Sequence, residues 1–387
     1  MIMEIYLDNS STTKPRDEVI EEMTFMLKTC YGNPSSLHRM GFDAEKKVKW
    51  ARNIIADFLK IRSDELFFTS GGTESNNLAI QGIINKNLRY GNHIITSKIE
   101  HPSVLDIFKN YENRGLRVTY LDVDKDGIID LEELEESIDD ETILIALMLV
   151  NNEIGSIEPG EKVKKILMRK RSKSFFHVDG IQAFGKIPLH LKEWGIGSFS
   201  FSGHKIHGPK GTGGLYLNKN VILNPLIFGG GQERGIRSGT ENVPGIVGMG
   251  KAVEILDNEF FEAREKVTEL KKYFIGRLKN EISDIKINSG IDERFSPFIL
   301  NVSFMGIRGE VLLHYLEEKG IYISTGSACS SHSKEKSHVL KSIGLKDREI
   351  EGTVRFSFSA MNTKKDLDYT LDVLKDSLEE IRQITKR

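Results

Sequence analysis

Short apolar runs rich in β-branched and aromatic residues alternate with amphipathic segments over the first 260 residues of the chain. One amphipathic segment covers residues 44–58, and its apolar side chains fall on one face of a helix: Val48, Ala51, Ile55 and Phe58. The predicted strands cover residues 65–69, 93–97, 117–121, 143–149, 174–178, 198–202 and 213–217. Strands and helices in turn predict an α/β fold with a mainly parallel central sheet flanked by helices.

The pattern changes near residue 260. A long amphipathic helix, Glu262 to Glu281, is followed by short strands and helices that favour a smaller α+β domain. These elements are strands at 285–288, 298–304, 321–324 and 353–359, a helix around 311–317 and a charged helix from Lys364. We therefore predict a large domain over residues 16–260, and a small domain formed by residues 1–15 and 261–387.

The composition of the chain excludes several classes of protein. With 39% hydrophobic residues, 28% charged residues and a net charge of −2, the chain is neither a disordered nor a nucleic-acid-coating protein. No run reaches the roughly 18 apolar residues of a membrane span, and no apolar run follows the N-terminal residues MIMEIYLDNS. Two cysteines are too few for a disulfide scaffold. We expect a cytoplasmic protein that binds neither membranes nor nucleic acid directly.

The run from Asp122 to Glu133, DVDKDGIIDLEE, satisfies the pattern of a calcium-binding EF-hand loop. An EF-hand needs a helix on each side, whereas residues 117–121 predict a strand, and the sequence contains no second loop of this kind. We expect instead an Asp/Gly turn followed by the first turn of a helix, where acidic residues suit the helix dipole. Calcium binding remains an alternative that a titration would test.

Several polar residues follow predicted strands, where open α/β sheets bind their ligands. In TSGGTESNN, residues 69–77, Gly71 and Gly72 allow close backbone approach, and the helix amides with the Thr73 hydroxyl would form an anion cup. His101 follows the strand at 93–97. Taken alone, a Gly-Gly turn is often only a turn, and an isolated histidine is more often a packed residue.

Three further residues complete a pattern. Asp179 follows a strand in HVDGIQAFGK, with Gln182 three residues later, and Lys205 follows a strand in FSGHKIHGPKG. A carboxylate at the end of a buried strand needs a cationic or donor partner, and a lysine in such a turn can become a nucleophilic amine. Pyridoxal phosphate has chemical groups that match all of these features together: the anion cup, the carboxylate, the amide, the flat histidine and the reactive lysine.

Cys329 lies in the run STGSACSSHS, residues 324–333, among small polar residues. From these residues alone, a nucleophile and an incidental thiol are equally good interpretations. A zinc site formed with His332 and His338 lacks a second pair of ligands, so we expect no metal. Cys30, beside Met26 on a predicted helix, is most simply a packed residue.

The whole chain resembles the cysteine desulfurases of the NifS/IscS type. Motifs match in order and spacing: TSGGTESNN, EHPSV, VNNEIG (150–155), HVDGIQAFGK, FSGHKIHGPKG, GGGQERGIRSGT (229–240), STGSACSSHS and TVRFS. The resemblance implies a fold-type I PLP-dependent transferase in the class V aminotransferase family. It also implies a homodimer that binds pyridoxal 5'-phosphate between the large domain and the subunit interface.

The resemblance also implies roles for individual residues. Lys205 would bind the cofactor covalently, Asp179 would pair with its pyridinium nitrogen, and Gln182 would contact its phenolic oxygen. His101 would stack on the ring and shuttle protons. The phosphate would be held by Gly72, Thr73, Ser202 and His204, with Thr240 from the other subunit.

The substrate would be bound by a second group of residues. Arg355 and Asn33 would hold the substrate carboxylate, and Asn152 would orient the substrate or the ring. Cys329, on a loop covering residues 324–338, would attack the sulfur of L-cysteine and become a persulfide, with L-alanine as the other product. The sulfur would pass to a protein acceptor for iron–sulfur cluster assembly or tRNA thiolation.

Alternatives remain within the same fold and outside it. A selenocysteine lyase is compatible with these residues, whereas another class V aminotransferase-family enzyme, such as an aminotransferase, needs no loop cysteine. An inactive scaffold protein would lack Lys205 or Cys329, and both are present. The acceptor stays open because the chain ends at Arg387, soon after the last predicted helix, where longer IscS-type members carry a scaffold-binding tail.

Overall fold

The computed structural model describes residues 4–325 and 336–385. Within these ranges the strands are β1 (Ile5–Tyr6), β2 (Leu66–Thr69), β3 (His93–Ser97), β4 (Arg117–Leu121), β5 (Thr142–Met148), β6 (Phe175–Asp179), β7 (Ser198–Ser202), β8 (Gly213–Leu217), β9 (Ile285–Ile287), β10 (Ile299–Phe304), β11 (Ile321–Tyr322) and β12 (Thr353–Ser357). The α-helices are α1 (Asp17–Lys28), α2 (Arg39–Phe58), α3 (Gly72–Asn87), α4 (Pro102–Asn113), α5 (Leu131–Ser137), α6 (Gly160–Arg169), α7 (Val243–Glu281), α8 (Gly309–Glu318), α9 (His338–Ser342), α10 (Asp347–Glu351) and α11 (Lys364–Thr385).

Seven strands form the central sheet in the order β2-β8-β7-β6-β5-β3-β4. The pairs from β7 through β6, β5 and β3 to β4 are parallel, and β8 runs antiparallel to both of its neighbours. Every residue of β5 is buried, which is why this strand is a continuous apolar run instead of an alternating one. The mainly parallel sheet predicted from the sequence is confirmed.

Helices cover both faces of this sheet. Ile145 and Leu147 of β5 pack in one apolar cluster with residues of α2, α6 and α7. Leu144 and Ala146, the alternate residues of the same strand, pack in another cluster with residues of α3 and α4. Because successive strand residues point to opposite faces, the two clusters lie on opposite sides of the sheet.

The C-terminal part of the chain forms a second group of elements. Strands β12, β10 and β9 make an antiparallel sheet, and β1 pairs in parallel with β11. Ile5 and Leu7 pack with apolar residues that lie between Val267 and Ile381, so the N-terminal strand joins the C-terminal core. Helix α7 runs through the predicted boundary between residues 260 and 261. The division into two domains therefore stays a proposal.

The calcium-like run is a turn followed by a capped helix, as expected. Asp124 Oδ1 accepts hydrogen bonds from the amides of Asp126 and Ile128, and Asp130 caps α5. Asp126 also forms an ion pair with Arg294. Among the residues that the structure describes, no group of three or more His, Cys, Asp or Glu side chains could hold a metal ion. Within the same residues, no helix is long and apolar enough to cross a membrane.

Candidate active site

A cavity of about 230 Å³ opens at the carboxyl ends of the central strands. Met148, Asp179 and Ser202 are the last residues of β5, β6 and β7, and all three line it. Parallel strands bring their carboxyl ends to one edge of a sheet, so residues far apart in sequence meet there. Most of the predicted site residues also line this cavity: Gly72, Thr73, His101, Asn152, Asp179, Gln182, Ser202, His204, Lys205 and Arg355.

Three predicted residues are not among those lining the cavity. Asn33 is exposed on the segment between α1 and α2, where its Oδ1 accepts a hydrogen bond from the Ser35 amide at 2.9 Å. Thr240 is exposed just before α7. Cys329 lies outside the described residues. The roles that the sequence predicts for these three residues stay predictions.

The predicted anion cup forms around the first residues of α3. Gly71 has a φ of +155°, a conformation that only glycine adopts without strain, and α3 begins at Gly72. A Cβ at Gly72 would lie 2.5 Å from the Ile181 side chain, so the helix end also needs glycine for its close packing. Thr73, Ser202 and His204 line the cavity beside this helix end, whose amides and dipole favour an anion.

His204 contributes to the cup as a neutral imidazole. Burial lowers its pKa to about 4, and the positive charges of Lys205, Lys210 and Lys186 act in the same direction. Its Nδ1 lies 3.2 Å from Thr12 Oγ1. At neutral pH this side chain therefore offers a hydrogen-bonding group without a competing charge.

Asp179 is a buried carboxylate held by neutral donors. Its Oδ2 accepts from Asn76 Nδ2 at 2.8 Å, and its Oδ1 accepts from the Ile181 amide at 3.0 Å. Burial raises the pKa of this carboxyl, while the nearby His101 and Lys205 lower it. Since burying a carboxylate without a cation is unfavourable, a protonated ring nitrogen in the cavity would favour its ionised form.

Asn76 lies behind Asp179 and was missed by the sequence reasoning. Its Oδ1 lies 3.2 Å from His177 Nε2, and burial lowers the pKa of His177 to about 3. A neutral His177 with its proton on Nε2 donates to Asn76 Oδ1, which turns the Asn76 amino group toward Asp179. The available signal was weak, because Asn76 is one of two adjacent asparagines in TESNN.

His101 caps the N-terminus of α4. Its Nδ1 accepts a hydrogen bond from the Ser103 amide at 3.1 Å, and an amide can only donate. Burial lowers the pKa of His101, so the neutral ring carries its proton on Nε2. The fold thus fixes the tautomer of the predicted proton shuttle.

Lys205 ends a single 3-10 turn, Gly203–Lys205, directly after β7. Its Nζ donates to the backbone oxygens of Ser10 at 2.5 Å and Ser11 at 2.7 Å. These two serines belong to the N-terminal segment, and both line the cavity. Nothing in the pattern NSSTT indicated that its carbonyls hold the amine of Lys205.

Arg355 is 2% exposed and presents its guanidinium at the cavity. Its Nη1 donates to the backbone oxygen of Asn152 at 2.8 Å, and its Nη2 donates to Asp8 Oδ1 at 2.9 Å and to Ser11 Oγ at 2.8 Å. Its Nε is buried without a hydrogen-bond partner among the described residues. A guanidinium fixed in this way would be a preformed receptor for a substrate carboxylate.

The chain is attached close to the cavity on both sides of residues 326–335. Before this segment, Ser324 and Arg355 exchange two backbone hydrogen bonds. After it, Ser337 Oγ donates to Glu153 Oε2 at 2.6 Å, and His338 Nε2 lies 2.9 Å from the backbone oxygen of Glu100. Glu153 follows Asn152 in sequence and Glu100 precedes His101, so both attachments lie beside cavity residues.

The Aminotransferase class-V family model matches residues 5–370. A curated relative, Cysteine desulfurase IscS of Dictyoglomus turgidum, is 45% identical over 385 residues, which cover 100% of this chain and 97% of the relative. The chain belongs to the cysteine desulfurases of the class-V aminotransferase family. This membership confirms the resemblance that the sequence motifs indicated.

Solved structures of this family have the same fold. A NIFS-like protein, 40% identical, superposes with a TM-score of 0.92 over 98% of this chain and 100% of its own. A structure titled "SspA in complex with cysteine", 36% identical, gives a TM-score of 0.81 over 93% of this chain and 100% of its own. The fold-type I assignment is confirmed, and the chain is a pyridoxal-phosphate-dependent enzyme.

The cavity residues fit this cofactor. A helix N-terminus without a side chain at Gly72 provides a cradle for a phosphate, and the buried Asp179 provides an anion for a protonated ring nitrogen. Lys205 provides an amine that would bind the aldehyde covalently. These three features converge on one cavity, which is the arrangement that the sequence predicted.

Proposed function

We propose that this enzyme removes sulfur from L-cysteine and stores it as a persulfide on Cys329. The Cys329 thiolate attacks the sulfur of the substrate, so a sulfur–sulfur bond forms and the substrate carbon–sulfur bond breaks. The bonding electron pair stays with the substrate carbon, which takes up a proton and leaves as L-alanine. The curated relatives named cysteine desulfurase and the related structure titled as a cysteine complex support this substrate.

One observation carries the proposal: Lys205, Asp179 and Arg355 line the same cavity. A site that processes amino acids with this cofactor needs three groups: an amine that binds an aldehyde, a carboxylate for a ring nitrogen and a guanidinium for a substrate carboxylate. Bound pyridoxal phosphate supplies an electron sink for the substrate Cα. Asn152 and Asn33 would complete the recognition of the substrate.

Lys205 and His101 would carry out the proton transfers. The Lys205 amine, once released by the incoming substrate, would remove the Cα proton. His101 would stack on the cofactor ring and donate its Nε2 proton to a reacting group, and the same nitrogen would take a proton back later in the cycle. Gln182 would donate to the phenolic oxygen, and Thr73, Ser202 and His204 would bind the phosphate with the Gly72 amide.

We infer that the enzyme is a homodimer in which Thr240 reaches the partner subunit's phosphate site. Apolar side chains beside Asn33 support this inference, because Tyr31 is 69% exposed and Leu37 is fully exposed. Phe228, which precedes the segment 229–240, is 83% exposed. Exposed apolar patches mark protein–protein contact surfaces, and a subunit interface would cover these three side chains. The expected cytoplasmic location stays a prediction.

The test of the proposed function measures products with several amino acids. With L-cysteine and a thiol reductant, the loaded enzyme should form L-alanine and sulfide in equal amounts. An aminotransferase would instead pass the amino group of L-cysteine or L-alanine to a 2-oxo acid. Formation of an oxo acid without sulfide would contradict the proposal.

Selenocysteine lyase remains the alternative activity, because the same residues can cleave a carbon–selenium bond. Comparing kcat/KM for L-selenocysteine and L-cysteine separates the two. The Cys329→Ala variant sharpens the comparison, since a selenocysteine lyase that releases selenium without a persulfide would keep its activity. The protein that accepts the sulfur, for iron–sulfur clusters or for tRNA thiolation, is to be identified by capture on the persulfide-loaded enzyme.

A further inference from the structure

A buried lysine lies next to Gln182 without lining the catalytic cavity. Lys186 is 5% exposed, and its Nζ donates to Gln182 Oε1 at 2.8 Å. It lines a smaller neighbouring cavity of about 50 Å³, which it shares with Lys205. A buried ammonium is unfavourable unless it has a specific partner, so this contact calls for a reason.

Stability does not supply that reason. Burial, together with the positive charges of Lys205 and Arg355, lowers the pKa of Lys186 to about 7. The unfolded chain binds this proton more tightly than the folded protein does, so at neutral pH the lysine opposes folding. An apolar side chain at this position would avoid that cost but would leave the buried Gln182 Oε1 without a donor, so the contact with Gln182 is what the lysine provides.

The neighbours of Gln182 fix the orientation of its carboxamide. The Ser10 backbone oxygen can only accept, so the Gln182 atom that contacts it at 2.9 Å is the amino nitrogen Nε2. This leaves the carbonyl oxygen Oε1 toward Lys186, whose Nζ donates to it at 2.8 Å. Turning the amide over would place an acceptor against the Ser10 carbonyl and would lose the hydrogen bond from Lys186 to Oε1.

This orientation determines what Gln182 offers to the cavity. The amino group carries two hydrogens, and the Ser10 oxygen takes one of them. Ser10, which contacts Nε2, lines the cavity with Gln182, whereas Lys186, which contacts Oε1, does not, so the donor side of the carboxamide is the side toward the cavity. An anionic oxygen is the ligand group that such a donor stabilises.

We propose that Lys186 is a positioning residue of the cofactor site, which holds the Gln182 amino group toward the cavity as the donor to the phenolic oxygen of pyridoxal phosphate. This inference rests on the role proposed above for Gln182. Lys186 itself does not touch the cofactor; it acts through Gln182. The chain also offers a matched control: Lys271 is 2% exposed, donates to the Ser296 oxygen at 2.9 Å, and has its pKa lowered to about 7 by burial.

The experiment uses four variants of the cofactor-loaded enzyme: Lys186→Met, Gln182→Met, the double variant and the control Lys271→Met. The readout is the pH midpoint of the change in the visible absorption band of the loaded enzyme, together with the dissociation constant of pyridoxal phosphate. Losing a donor makes the phenolic oxygen more basic. Lys186→Met and Gln182→Met should each raise the midpoint by about one pH unit, and Lys271→Met should leave it unchanged.

The double variant distinguishes positioning from an effect of charge. If Lys186 acts through Gln182, the double variant shifts the midpoint no further than Gln182→Met alone. If the two shifts add, Lys186 acts through its own charge and the inference is wrong. An unchanged midpoint in Lys186→Met would also overturn it, while the proposed function would stand as long as the wild-type enzyme makes alanine from L-cysteine.

A conservative variant guards against a folding defect. Lys186→Arg keeps a donor for Gln182 Oε1, and the neighbouring cavity of about 50 Å³ gives the larger guanidinium room. This variant should keep the wild-type midpoint. A midpoint in Lys186→Arg equal to that of Lys186→Met would mean that the hydrogen bond to Oε1 is not what matters, and would contradict the proposal.

Discussion

Arg355 and Ser324 pair through their backbones: the Arg355 amide donates to the Ser324 oxygen at 2.7 Å, and the Ser324 amide donates to the Arg355 oxygen at 3.2 Å. The strand that carries the proposed carboxylate receptor is therefore bonded to the chain immediately before residues 326–335. The proposed carboxylate receptor and the chain that leads to Cys329 therefore share one strand, β12.

Replacing Arg355 by lysine tests the carboxylate receptor. Arg355→Lys keeps the positive charge near Asp8 but loses the planar pair of donors, so KM for L-cysteine should rise about tenfold with a smaller change in kcat. Initial rates of alanine formation over a range of L-cysteine concentrations measure both. An unchanged KM would assign Arg355 a structural role only.

Removing the Ser337 hydroxyl tests the attachment after the Cys329 segment. Ser337 Oγ donates to the buried Glu153, so Ser337→Ala should slow alanine formation about fivefold while the visible spectrum of the loaded enzyme stays as in the wild type. Ser342→Ala is the control, because Ser342 ends α9 and its hydroxyl donates to the His338 backbone oxygen instead of to Glu153. Equal rates in both variants would exclude a role for the contact with Glu153.

Changing Asp179 to asparagine tests the partner of the ring nitrogen. Asp179→Asn keeps the shape of the side chain but removes its negative charge, so alanine formation should fall about a hundredfold or more. Stopped-flow spectra after mixing with L-cysteine show whether Cα deprotonation is the slowed step. Normal deprotonation in this variant would contradict the assigned role.

A pH-dependent stability is expected from Glu100. Its carboxyl is buried, Oε1 accepts from Ser97 Oγ and the Met148 amide, and burial raises its pKa from 4.5 to about 8. Between pH 4.5 and about pH 8 the Glu100 carboxyl is ionised in the unfolded chain but still protonated in the folded protein. The free energy of unfolding therefore falls as the pH rises through this range. The Tm of Glu100→Gln should match that of the wild type near pH 4.5 and exceed it by several degrees near pH 8. A Tm difference that does not vary with pH would refute this ionisation.

The sequence predicted the strands best. The predicted strands of the central sheet agree with β2 to β8 to within one residue at each end, because each is a short apolar run between turn residues. Helix α2 begins at Arg39, five residues before the predicted start, since its cap is His38 and not a residue that usually marks a helix start.

Site residues were predictable where they directly follow a strand. Asp179 and Lys205 combine an ionisable side chain with a strand end, which is a signal that a single sequence carries. Their supporting residues were not predictable. Asn76 contacts Asp179 from another element, and Ser10 lies far from Lys205 in the sequence. Only the folded chain brings the members of each pair together.

The central claim is that Cys329 receives the sulfur. The chain has one other cysteine, Cys30, which serves as an internal comparison because burial raises the pKa of its thiol. The most direct measurement mixes the loaded enzyme with one equivalent of L-cysteine, without reductant, and locates the added sulfur by mass spectrometry of alkylated peptides. We predict one sulfur on Cys329 for each alanine formed, and no alanine from Cys329→Ala. Sulfur on Cys30, or sustained alanine formation by Cys329→Ala, would contradict the account.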